Sequence, residues 1–127
     1  MKRKNITIGS RGSKLALIYA NKAKDKISEI FPSNIEIKII KTSGDENQKD
    51  RLSEIGGKGL FSKKIEMELL NKNIDLAVHA LKDMPSVETY GLITSCFLKR
   101  NFPNEILISK NNLILDKLKP NSIVGTS

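Results

Sequence analysis

The hydrophobic pattern switches period twice in residues 5–39, and that switch constrains the fold more than any other feature. Asn5, Ile6, Thr7 and Ile8 read as a short strand. Ser13 can then cap a helix running to about Ile30, with Ala16, Ala20, Ala23, Ile27 and Ile30 on one face. Phe31 and Pro32 end it, because proline disfavours the helical region for the residue before it. Ile35, Ile37 and Ile39 alternate with Glu36 and Lys38, the period of a strand. A strand, a helix and a second strand in this order predict an α/β domain with a mainly parallel sheet flanked by helices.

The remaining pattern extends that reading. Residues 42–54 are polar and predict a long loop, and residues 60–71 a helix with Phe61, Ile65 and Leu69 at i, i+4 and i+8. The run Ile74, Asp75, Leu76, Ala77, Val78 suits a short strand buried on both faces. Further strands are expected at 92–98, 106–109 and from 122, and a helical turn at 113–118. The polar segment 99–104, with Pro103, is the expected boundary between a first domain (1–99) and a hinge with the beginning of an incomplete second domain (100–127). The final Gly125, Thr126 and Ser127 read as a strand entering a turn, so a truncated chain is expected.

Composition narrows the function classes. Hydrophobic residues make up 39% and charged residues 28%, ordinary for a water-soluble globular domain. No apolar run approaches the roughly 20 residues needed to cross a bilayer. The basic opening Met1-Lys2-Arg3-Lys4 is not followed by the apolar stretch of a secretion signal. The expectation is a cytoplasmic protein without a membrane partner. Cys96 is the only cysteine, which excludes an intrachain disulfide and a multi-cysteine metal site, and its apolar surroundings predict a buried, inert thiol. No metal is expected. The net charge of +8 suits anionic partners, but the basic residues are scattered and aromatics amount to 5%, with no nucleic-acid-binding motif. Nucleic acid is therefore not the expected partner.

Three polar clusters fall at predicted strand ends or helix starts, where open α/β sheets bind ligands. In Gly9-Ser10-Arg11-Gly12-Ser13, Arg11 offers a fork for carboxylate or phosphate, and Ser13 either donates to the same anion or simply caps the helix. In Gly56-Gly57-Lys58-Gly59-Leu60-Phe61, three glycines around Lys58 let backbone approach a ligand, although a plain turn fits as well. In Val78-His79-Ala80-Leu81-Lys82-Asp83-Met84-Pro85, Asp83 is either a carboxylate that moves a proton or stabilises a cation, or half of a surface Lys82–Asp83 pair. His79, the only histidine, reads as structural rather than as a base. The residues alone lead to an anion-binding cleft with one candidate catalytic carboxylate.

Taken in order, these clusters resemble the porphobilinogen deaminase (hydroxymethylbilane synthase) family along the whole chain. The matching stretches run from Ile8 to Ala16, Thr42 to Asp45, Ile55 to Phe61, Asp75 to Pro85 and Ile123 to Ser127. The resemblance implies a transferase that joins four porphobilinogen molecules head to tail into hydroxymethylbilane, releasing ammonia, in tetrapyrrole biosynthesis. It implies a domain similar to type II periplasmic binding proteins, and a dipyrromethane cofactor held covalently by a cysteine of a third domain. Asp83 matches the family's catalytic aspartate. Arg11, Ser13, Lys58 and Lys82 match residues that bind the acid side chains or the cofactor, and Thr126 and Ser127 match the start of a further binding stretch.

Departures accompany the resemblance. Glu54 stands where many members have lysine, and Ala80 replaces a common serine. Cys96 does not match the cofactor cysteine, and the family's arginine-rich stretch follows the last residue of this chain. The expectation is that these 127 residues alone are inactive and that the complete protein is a monomer. The alternative is a non-catalytic small-anion-binding domain of the periplasmic-binding-protein type, in which Asp83 has no chemical role.

Overall fold

In the computed structural model, residues 5–42, 59 and 61–125 are described. Among them, strand β1 (Ile6–Ser10) is the centre of a three-stranded parallel sheet, flanked by β2 (Ile35–Ile39) and β3 (Leu76–Ala77). Ile6 pairs with Ile35 and Ser10 with Ile39 on one side, and Ile8 with Leu76 and Gly9 with Ala77 on the other. The α/β fold with a parallel sheet is thus the observed one.

Helix α1 (Lys14–Ile30) joins β1 to β2 and packs on both. Ser13 has extended backbone and its Oγ accepts from the Ala16 N–H at 3.3 Å, while the Phe31 N–H closes the last turn onto the Ile27 carbonyl at 2.8 Å. Both predicted ends hold. The predicted apolar face does not hold throughout: Ala20 and Ala23 are buried, but Ile30 is 72% exposed. The helix is about 25 Å long against about 17 Å for a five-residue strand, so its last turn overhangs the sheet.

The core lies between β1 and helix α2 (Lys63–Leu70), where Ile40, Ile65 and Ile74 cluster against Leu69 and Ala77. Gly9 makes room for it. A Cβ at that position would run into Ile74 Cδ1 and touch Ile40 Cδ1 at 3.0 Å. Helix α2 starts later than predicted, because Gly59 adopts φ +103° and its carbonyl accepts from the Ser62 and Lys63 N–H groups. Lys38 on β2 donates to Glu68 on α2 at 2.6 Å, which holds the Glu68 carboxyl below its usual range.

Strand β3 is shorter than predicted, although Asp75 and Val78 still donate to the Thr7 and Gly9 carbonyls at 2.9 and 3.1 Å. It is half-buried rather than covered on both faces.

The chain divides into two compact units, residues 1–96 and 97–127. In neither do the expected strands at 92–98, 106–109 and 122–125 form. A strand is held by ladder hydrogen bonds to a neighbour, and these segments have none among the described residues. Ile93, Ile106, Ile108 and Ile123 are accordingly exposed, and so is Cys96, contrary to the buried thiol expected. The turn expected at 113–118 is a 3-10 turn at Leu115–Lys117, preceded by an unexpected one at Lys110–Asn112. Of the predicted 42–54 loop only Thr42 is described, and it is fully buried. Among the described residues no helix is long and apolar enough to cross a membrane.

Candidate functional site

Strands β1 and β3 are parallel, so their carboxyl ends open on the same edge of the sheet. The segments leaving them carry the first and third polar clusters. Between those segments and the start of α1 lies a small solvent-open cleft of about 50 Å³, its walls including Arg11, Ser13, Tyr19, His79, Ala80 and Asp83. That is the location at which open α/β sheets bind ligands.

Asp83 reaches the cleft on a 3-10 turn, Leu81–Asp83, closed by the Asp83 N–H onto the Ala80 carbonyl at 2.9 Å. The strand itself ends at Ala77, and the turn presents the carboxylate half-buried. Lys82, on the same turn, is exposed and is not among the residues lining the cleft. In a tight turn, neighbouring side chains diverge. Lys58, Thr126 and Ser127 lie outside the described residues, as does Glu54.

Arg11 meets Phe61. The Arg11 guanidinium carbon stands 3.9 Å from the centroid of the Phe61 ring. A cation over an aromatic face is held by the ring quadrupole without losing its in-plane donors. The arrangement therefore helps to steady Arg11 beside the cleft. Ser13, bonded to the Ala16 N–H, acts as the helix cap. A serine hydroxyl can accept there and still donate its proton elsewhere.

His79 forms part of the cleft wall. Burial pushes its pKa below the ordinary 6.5, with Arg11 acting in the same direction and Glu66 and Asp83 opposing. The ring is therefore mainly neutral at neutral pH. Phe61 and Tyr19 also went unassigned in the sequence. Tyr19 lies at i+3 from Ala16 on the first turns of α1, a spacing that puts both on one face. Among the described residues, no group of three or more His, Cys, Asp or Glu side chains is placed to hold a metal ion.

A family model described as "Porphobilinogen deaminase, dipyromethane cofactor binding domain" matches residues 6–127. The chain belongs to this family. It is 49% identical over 123 residues to the porphobilinogen deaminase of Wolbachia sp. subsp. Drosophila simulans, covering 96% of this chain and 42% of that protein. It is 48% identical over 125 residues to the porphobilinogen deaminase of Staphylococcus epidermidis, and 47% identical over 125 residues to that of Bacillus subtilis. Those matches cover 98% of this chain and 41% and 40% of the relatives. The chain thus spans about two fifths of the length of the curated relatives it matches.

Proposed function

We propose that this chain is the catalytic-aspartate portion of a porphobilinogen deaminase, which joins four porphobilinogen molecules head to tail into hydroxymethylbilane, with ammonia released at each addition. The observation that carries the reading is the cleft at the sheet edge, with Asp83, Arg11 and Ser13 on its walls. Membership of the family supports it.

The chemistry asks for two things of the protein. Loss of the aminomethyl nitrogen as ammonia leaves an azafulvene cation on the pyrrole, and that cation needs a nearby anion. Asp83 supplies it and can hand a proton to the departing nitrogen and recover one from the next ring. Each porphobilinogen also brings an acetate and a propionate, so the product is a polyanion. Arg11 grips one such carboxylate, and Ser13, Lys58 and Lys82 are assigned the others. A charge pair at about 4 Å is worth on the order of 4 kcal/mol near a protein surface, before desolvation. Thr126 and Ser127 are assigned to the start of a further binding stretch.

A dipyrromethane cofactor fits this donor set, since Arg11 matches its carboxylates and Asp83 can accept from its pyrrole N–H groups. When bound, such a group supplies the first rings on which the chain grows. The parallel sheet with a cleft at its carboxyl edge supports a domain of the type II periplasmic-binding-protein kind over residues 1–99, with 100–127 leading into a second domain. A cytoplasmic location accords with this pathway. The test is turnover by the full-length protein: ammonia release with porphobilinogen and a linear tetrapyrrole product by mass. Binding of porphobilinogen without ammonia release would favour the non-catalytic anion-binding domain instead.

A further inference from the structure

Helix α2 buries a polar group that the proposed reaction does not use. Glu66, in the first turn of α2, is 8% exposed. A carboxylate is among the costliest groups to remove from water, so its retention there calls for a reason. One oxygen, Oε2, accepts from the Thr89 hydroxyl at 2.8 Å. The other, Oε1, is buried with no hydrogen-bond partner among the described residues, and so is Nε2 of His79.

The positions of these partners give the reason. His79 precedes the Leu81–Asp83 turn, and Thr89 lies on the segment that leaves it. Glu66 therefore holds the far arm of the turn that presents Asp83 by a hydrogen bond, and its charge is also felt at His79. The charged groups acting on His79 come from three elements: Glu66 from α2, Asp83 from the turn and Arg11 from the segment after β1. Met84, Pro85 and Glu88 of the departing segment line the same small recess as Glu66 and Thr89.

We propose that Glu66 is a positioning residue for Asp83, tethering the far arm of the turn through Thr89. The proposal rests on the deaminase reading for its link to turnover. The action of the Glu66 charge on His79 stands apart from that reading.

The test is made in the full-length protein. Glu66→Gln keeps the volume and an oxygen that can accept from Thr89, but removes the charge. It is expected to unfold near the wild-type temperature. With porphobilinogen, kcat should fall about tenfold with little change in KM, the signature of a displaced reacting group. The His79 ring, followed by NMR and assigned with His79→Asn, should titrate at a lower pH once its anionic neighbour is gone. Thr89→Val should lower kcat while leaving that titration in place, and Thr89→Ser should restore kcat. A purely structural Glu66 would change only the unfolding temperature. Wild-type kcat and an unmoved His79 titration in Glu66→Gln overturn the proposal. If Glu66→Gln does not fold, wild-type kcat in Thr89→Val overturns it. Absence of turnover in the wild type overturns the deaminase reading instead, and the His79 titration still decides whether Glu66 acts on it.

Discussion

Replacing Phe61 with leucine isolates the contact that steadies Arg11. The guanidinium carbon lies 3.9 Å from the ring centroid, well inside the range of a cation–π interaction. Phe61 is half-buried. The interaction is then worth about 1 kcal/mol, between the values for exposed and desolvated pairs. Leucine keeps apolar bulk but has no quadrupole. If Arg11 binds a substrate carboxylate from this posture, Phe61→Leu raises KM for porphobilinogen about fivefold, the ratio that 1 kcal/mol represents. The assay is steady-state turnover of the full-length protein, combined with Arg11→Gln in a double-mutant cycle. In the Arg11→Gln background, Phe61→Leu should have little further effect. Equal losses in both backgrounds would show that the ring acts by packing alone, and the reasoning would fail.

Three further outcomes follow from the same geometry. Gly9→Ala drives a methyl into Ile74 and Ile40 and should destabilise by about 1–3 kcal/mol in denaturant titration, the usual result of overfilling a core. Ser13→Ala should cost about 1 kcal/mol as a lost cap, and Ser13→Gly only a few tenths. A rise in KM shared by both variants would then report the hydroxyl's contact with substrate. His79 has a folded pKa below its unfolded value, so below pH 6.5 the unfolded chain binds the extra proton. Stability from this group is complete above about pH 6.5 and falls as pH drops toward the lowered pKa; His79→Gln should flatten that slope in thermal melts.

Much of the sheet and its flanking helix was legible because local chemistry and tertiary structure agree there. Ser13 caps, Pro32 stops, and the alternation of Ile35, Ile37 and Ile39 is that of a strand. Three of the assigned site residues, Arg11, Ser13 and Asp83, come together in the cleft because parallel strands share one carboxyl edge, which the element order already implies. What was not legible depends on partners. The apolar runs at 92–98 and 106–109 have strand-like composition, but composition cannot supply a neighbouring ladder. Glu66 sits beside Ile65, off the Phe61–Ile65–Leu69 stripe, so helical periodicity assigns it to solvent. It is buried beside Thr89, a contact between residues far apart in sequence. Phe61 reads as part of that apolar stripe, and only the spatial meeting with Arg11 reveals its second role.

The role of Asp83 is tested most directly by Asp83→Asn in the full-length protein, with turnover and porphobilinogen binding measured on the same preparation. Loss of a group that moves protons and faces a forming cation should lower ammonia release by about 10²–10⁴-fold, with the fold and binding retained. A folded Asp83→Asn protein that releases ammonia at the wild-type rate would contradict the account.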